Sequence, residues 1–266
     1  VKESFAYGGI ALYAEEVSNM GYYSVSGDFA FKRINGVNIL SKYIGSGVNI
    51  YLPENCEGEE YIIGEAFRNN HNINSISIPS GVVAIGDYAF SGCSAMEFCR
   101  IPNSVKTIGD SAFNSCKNLR NVYLKDVSTI GISAFRNCQS LQTVYLENLK
   151  TIGDYAFGDS SNDYYSGNNK SLDSITLKNI TTIGRYAFGY AINLNLIEMK
   201  NITTIREFAF IGCSELSAVN IDAVTVEKGA FESCTSLTAV TIGKRVKELL
   251  NYENTNDYHN VFEYCN

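Results

Sequence analysis

The side chains with most chemical potential in this chain are eight Cys, two His and one polar run rich in Asp and Asn. Cys93, Cys116, Cys138, Cys213, Cys234 and Cys265 recur at near-regular intervals, Cys99 lies in an apolar alternation, and Cys56 lies in a polar stretch. No Cys-x-x-Cys pair occurs, so the commonest zinc-site spacing is missing. His71 sits in an Asn-rich turn and His259 in a late polar stretch. A Cys-His or Ser-His-Asp relay would need one of them beside a nucleophile, and because distant parts of an elongated array do not meet, none is expected. The segment Asp159, Asn162, Asp163, Asn168, Asn169 holds enough oxygens for a calcium ion, but it lacks the alternation and closing Glu of a calcium loop. Gly45-Ser46-Gly47 lacks the third glycine and the following helix of a nucleotide fingerprint. Glu15-Glu16 and Glu59-Glu60 adjoin in sequence, which on a strand points them apart, and both read as solvated charge. No catalytic residue, metal site or cofactor is expected.

The elements that would position these residues are set by a repeat. The pair Ala-Phe recurs with Phe at 67, 90, 113, 135, 157, 188, 210 and 231, and a further Phe stands at 262. Most intervals are 21 to 23 residues, and the two of 31 mark the same unit with an insertion, near 158–170 and 250–257. Five residues before Phe stands Ile or Val, often followed by Gly, as in Ile85-Gly86 and Ile152-Gly153. Three residues after it stands a small column: Asn70, Cys93, Cys116, Cys138, Ser160, Ala191, Cys213, Cys234, Cys265. An apolar column follows (Ile73, Met96, Leu119, Leu141, Leu172, Leu194, Leu216, Leu237), then an alternating pair such as Cys99/Ile101, Val122/Leu124, Val144/Leu146 and Val240/Ile242.

Alternation of the type Val122-Tyr123-Leu124 predicts a short strand with one buried face. The Ile-Gly-x-x-Ala-Phe-x-x-Cys stretch is too short for a full helix and is expected to make one or two helical or 3-10 turns. One unit buries a single layer and cannot stand alone; stacked units share a continuous core and pair their strands in parallel. Thiols in such a column point the same way one strand spacing apart, which rarely suits a disulfide. They are expected to be free and buried, as small hydrophobes.

The unit Ile101-Pro102, Ile108-Gly109, Ala112-Phe113, Cys116 resembles the BspA-like leucine-rich repeat family over about residues 60 to 266. The resemblance implies an α/β solenoid: a right-handed array of about 8–9 repeats with a concave parallel sheet and short helical or 3-10 turns on the convex side. Residues 1–59 are expected to form a β-rich N-terminal cap or lead-in, with strands around Tyr13, Tyr22, Tyr23 and Val25. It also implies a bacterial surface or secreted protein used in adhesion or recognition.

Charge narrows the partner. The chain carries 21 Lys and Arg against 28 Asp and Glu, a net charge of −7, which disfavours nucleic acid and anionic lipid as partners. No apolar run is long enough to span a bilayer, so no membrane insertion is expected. The chain opens on Val1, and any export signal is expected to have been removed or to lie outside this stretch. The end at Asn266 shows no obvious cap.

If Val122 and Leu124 point inward, Asn121, Tyr123 and Lys125 point outward. The expected ligand-binding set on the concave face is Phe98, Arg100, Asn121, Tyr123, Lys125, Thr143, Tyr145 and Glu147. Phe98, Tyr123 and Tyr145 are expected to stack as an aromatic stripe flanked by Arg100, Lys125 and Glu147, a composition interfaces favour. The same stripe is also what a ladder of strand-forming aromatics would show for stability alone. The turn aromatics Tyr88, Tyr155, Tyr186 and Phe208 are weaker candidates. The reading is a non-enzymatic recognition module for a protein or, less readily, a glycan. Alternatives are an accessory domain of a larger secreted enzyme and a structural spacer.

Overall fold

A computed structural model describes residues 4–7, 10–13, 24–160, 169–250 and 260–265. The chain winds as a solenoid of parallel strands carrying two sheets. The longer strands form the first: Asn49–Tyr51, Ser75–Ser77, Phe98–Arg100, Asn121–Leu124 and Thr143–Leu146 pair as five, Ser174–Lys178 pairs with Leu196–Lys200, and Ala218–Ile221 pairs with Ala239–Ile242. The second sheet has twelve strands in one run. It is built from two-residue Thr-Ile steps such as Thr107–Ile108, Thr129–Ile130 and Thr151–Ile152. Its opening strands Ser24–Ser26, Phe29–Ile34 and Val37–Tyr43 are antiparallel to one another. The tight reversal at Asn35-Gly36, both at positive φ, is the two-residue hairpin that Asn-Gly favours. A separate antiparallel pair joins Ser4–Tyr7 to Ile10–Tyr13; Tyr22 and Tyr23 lie outside the described residues. The expected division at 59/60 falls inside the first coil, between strand Asn49–Tyr51 and strand Tyr61–Ile63.

The Phe column is the spine. Rings from Phe67 to Phe262 stack on their successors at 5.0 to 5.7 Å. That spacing is close to the roughly 4.8 Å between paired strands, so one ring per coil fills the interior without a gap. Tyr43, 5.3 Å from Phe67, extends the column into the antiparallel lead-in. The Gly after Ile is required by close approach: a Cβ on Gly153 would stand 2.5 Å from the carbonyl carbon of Gly131 in the preceding coil. In three coils the residue after that Gly is an Asp whose carboxylate accepts a backbone N–H of the next coil: Asp87 from Asp110, Asp110 from Ile132, Asp154 from Arg185, at 2.7 to 2.8 Å.

Two expectations fail here. The Ala-Phe turns are not helical; among the described residues the one helical turn is the 3-10 step Glu65–Phe67. The residues two before Phe, such as Tyr88, Ser111, Tyr155 and Phe208, have φ of 53° to 58°. Those two after, such as Asn69, Ser115, Asn137 and Tyr190, have φ of 58° to 61°. Left-handed residues on both sides of Phe break any helical run. The freed N–H groups bond the next coil instead, Phe90 to the Ala112 carbonyl and Phe113 to that of Ala134, both at 2.7 Å. The α/β description therefore gives way to a β-solenoid. Secondly, Val240 and Ile242, expected inside, are 41% and 46% exposed; among the described residues theirs is the last strand of the first sheet, with none stacked beyond it.

Candidate binding face

The small column does more than fill space. The thiols of Cys93, Cys116, Cys138, Cys213, Cys234 and Cys265 each donate to the carbonyl of a Phe in the preceding coil, at 3.0 to 3.3 Å. All eight cysteines are free, and burial pushes the Cys93 thiol up to about 12. That thiol is held protonated and is a poor nucleophile. In the coil with the first insertion the column residue is Asn169, not Ser160: its buried amide donates to the Phe135 carbonyl at 2.9 Å, while Ser160 is exposed. The insertion thus lies between Phe157 and Asn169, and the column resumes after it.

Of the five residues weighed for calcium, two are described. Asp159 is buried and ion-paired with Arg136 at 2.7 Å, and Asn169 is engaged as above; Asn162, Asp163 and Asn168 lie outside the described residues. His71 faces the Ser94 hydroxyl at 3.3 Å, and His259 lies outside the described residues. Glu59 is bonded to Arg33 at 2.8 Å and to Asn38 at 3.0 Å.

The outer face of the first sheet holds all eight residues singled out above. Alternation buries Val122 and Leu124 and turns Tyr123 outward, 56% exposed; Tyr145 is 53% exposed one strand on. The strands pair Tyr123 with Tyr145 directly. Their rings stack at 4.6 Å with 9° between planes, stiffening two broad side chains on a rigid ladder. Thr143 pairs with Asn121. Lys125 and Glu147 follow the strand ends, with Nζ and carboxylate 4.0 Å apart.

Phe98 does not belong to this stack. It pairs with Asn121, which sets Arg100, not Phe98, in the row of the tyrosines. That row runs Tyr51, Ser77, Arg100, Tyr123, Tyr145. The stripe is therefore a tyrosine pair with a guanidinium beside it and Phe98 set diagonally. Tyr51, 77% exposed, was overlooked, although the alternation Ile50-Tyr51-Leu52 marks it as outward.

Two grooves flank the pair. One, about 460 Å³, opens between Thr143–Leu146 and Ser174–Lys178, where the first sheet breaks, with Tyr145, Glu147, Ser174 and Thr176 on its walls. The other, about 590 Å³, lies on the Tyr123 side among Phe98, Arg100, Asn103, Asn121 and Lys125.

The BspA type leucine rich repeat region model matches residues 43–164 and 161–256, in six copies. The chain belongs to this family. The BspA-type chain is also similar to a solved leucine-rich repeat protein of T. pallidum, at 25% identity and TM-score 0.63, covering 73% of this chain and 90% of that one. A leucine-rich repeat protein of Eubacterium ventriosum shares the fold at 21% identity and TM-score 0.53, over 81% of this chain and 52% of that one. No curated protein sequence matches the chain. No helix among the described residues of this BspA-type array is long and apolar enough to cross a membrane.

Proposed function

We propose that this chain is a non-enzymatic recognition module, displayed on a bacterial surface or secreted, that binds a protein partner on the outer face of the first sheet, the face expected to be concave. Membership of a repeat family whose bacterial members serve in adhesion and recognition supports the setting. The observation that carries the face is the Tyr123–Tyr145 stack, two exposed rings held parallel on a rigid ladder between two grooves. Large aromatics that lose little freedom on contact are what binding hot spots favour. The test is surface plasmon resonance against a panel of purified extracellular host proteins, with Tyr123→Ala and Tyr145→Ala beside the unaltered chain. For a true ligand, each change should weaken binding at least tenfold, which is about 1.4 kcal/mol. A ligand whose affinity is indifferent to both changes refutes this face.

A further inference from the structure

The groove on the Tyr123 side is lined by cations, against the acidic balance of the chain. The whole chain carries −7, yet Arg100 and Lys125 line this groove and no carboxylate does. Lys125 approaches Glu147 at 4.0 Å, at the limit of an ion pair. Among the described residues no carboxylate lies within ion-pair distance of Arg100. A guanidinium without a carboxylate is thus set among aromatic walls. Arg presents a planar fork that takes a carboxylate through two parallel hydrogen bonds, a geometry Lys cannot supply.

The other walls specify more than an anion. Phe98, 55% exposed, and the face of Tyr123 turned away from Tyr145 offer flat apolar surfaces. Asn103 and Asn121 add amides that donate and accept at once. Flat apolar surface, paired donors and acceptors, and one bidentate cation together suit a ring that carries hydroxyls and a carboxylate. At about 590 Å³ the groove lies within the 300 to 1,000 Å³ range of small-molecule sites.

We propose that this groove binds a carboxylated sugar ring, of the uronic or sialic acid type, with its carboxylate on Arg100, support from Lys125, its apolar face on Tyr123 and Phe98, and its hydroxyls on Asn103 and Asn121. The proposal rests on the outer face of the first sheet being the ligand surface, and it adds the ligand's chemistry: the ring is one that a glycosylated partner would carry.

The test titrates the purified chain by NMR with the methyl glycosides of N-acetylneuraminic acid and glucuronic acid. Methyl galactoside serves as the neutral sugar and a hexaglutamate peptide as the anion without a ring. At least one carboxylated glycoside should bind tenfold or more tightly than both controls, and weaken as salt rises. Arg100→Lys, which keeps the charge and loses the fork, should cost about tenfold, and Phe98→Ala several-fold; both positions are exposed, and thermal unfolding verifies that each variant is folded. Equal binding of methyl galactoside, equal binding of hexaglutamate, no binding of either acid sugar, or indifference to Arg100→Lys overturns the proposal. If the sugars fail while Tyr145→Ala still abolishes capture of a protein partner, this inference falls alone. If they bind while the tyrosine variants leave protein capture intact, the protein-binding reading falls alone.

Discussion

The two sheets of the solenoid are made by the same coils yet treat their outward positions in opposite ways. Along the second sheet the same residue recurs: Thr107, Thr129, Thr151, Thr182, Thr204 and Thr225 stand in one row, with Ile or Val beside each of them pointing inward. The row in the first sheet reads Tyr51, Ser77, Arg100, Tyr123, Tyr145, with Thr176 and Glu198 beyond the break. The second sheet also runs unbroken past the insertion after Phe157, whereas the first sheet breaks there, between Thr143–Leu146 and Ser174–Lys178. It breaks again between Leu196–Lys200 and Ala218–Ile221, where nothing is inserted, so the longer strands pair less continuously than the Thr-Ile steps. Uniformity on one side satisfies stacking; variety on the other is free to meet a ligand.

Breaking the shared spine should have the largest effect. Phe113 is fully buried between Phe90 and Phe135, at 5.1 and 5.0 Å. Phe113→Ala should cost about 3 to 5 kcal/mol, the usual range for truncating a buried aromatic. Urea unfolding followed by circular dichroism measures it. Coils in an array depend on their neighbours, so the loss should reach both sheets together. A loss under about 1 kcal/mol would mean that the column is not what couples them.

The insertion offers a finer test of how the second sheet stays whole. Asn169→Ala removes the buried amide from the Phe135 carbonyl and should cost about 1 to 3 kcal/mol, the penalty of stranding a buried polar group. Asn169→Cys supplies the donor used in six other coils and should recover most of that loss in the same unfolding measurement. Equal destabilisation by Ala and Cys would show that the amide does something the thiol column does not.

How much of this was readable depended on whether a feature repeats through side chains or through backbone. Ile130, Phe135, Cys138, Leu141 and Val144 announce their burial by recurring at fixed offsets, and all are buried. The second sheet shows in the sequence as an Ile column but not as strands, because a two-residue strand such as Thr151–Ile152 has no alternation to detect. The turns misled for a similar reason. Tyr155 and Phe208 adopt a left-handed conformation that costs a non-glycine residue about 1 to 2 kcal/mol, and nothing in their side chains hints that inter-coil hydrogen bonds will hold them there. Asn169 was recoverable by counting three back from Leu172, as Cys138 stands three back from Leu141. The position of Phe98 was equally recoverable, since it precedes Cys99 as Asn121 precedes Val122. What repetition cannot provide is meaning at the outward sites, where each coil differs.

A mutation on the outer face should separate stability from recognition. Tyr145→Ala leaves the buried layer untouched and removes one stacked ring, so it should destabilise by about 0.5 to 1.5 kcal/mol. Calorimetry should show a small drop in Tm while partner binding falls at least tenfold. If stability instead falls as far as for Phe113→Ala, the tyrosine pair belongs with the spine and the contrast between the sheets weakens.

The smallest effect lies at the N-terminal edge of the second sheet. The Arg33 guanidinium, first by a hydrogen bond and then by its charge, with help from the Asn38 amide, holds the Glu59 carboxyl below its usual value. A carboxyl lowered on folding contributes its stability above the unfolded value of about 4.3, and that contribution disappears as pH falls through the lower folded value. Both partners are about half exposed, and salt screens them. Glu59→Gln should therefore lower Tm slightly at pH 6 and low salt, with the gap to the unaltered chain closing as pH falls below about 4. A gap that persists at pH 3 would assign the effect to the neutral hydrogen bonds rather than the charge. Either way Tyr123 and Tyr145, on the other sheet, should keep their affinity for a ligand, because the change touches only the side of the coil that repeats.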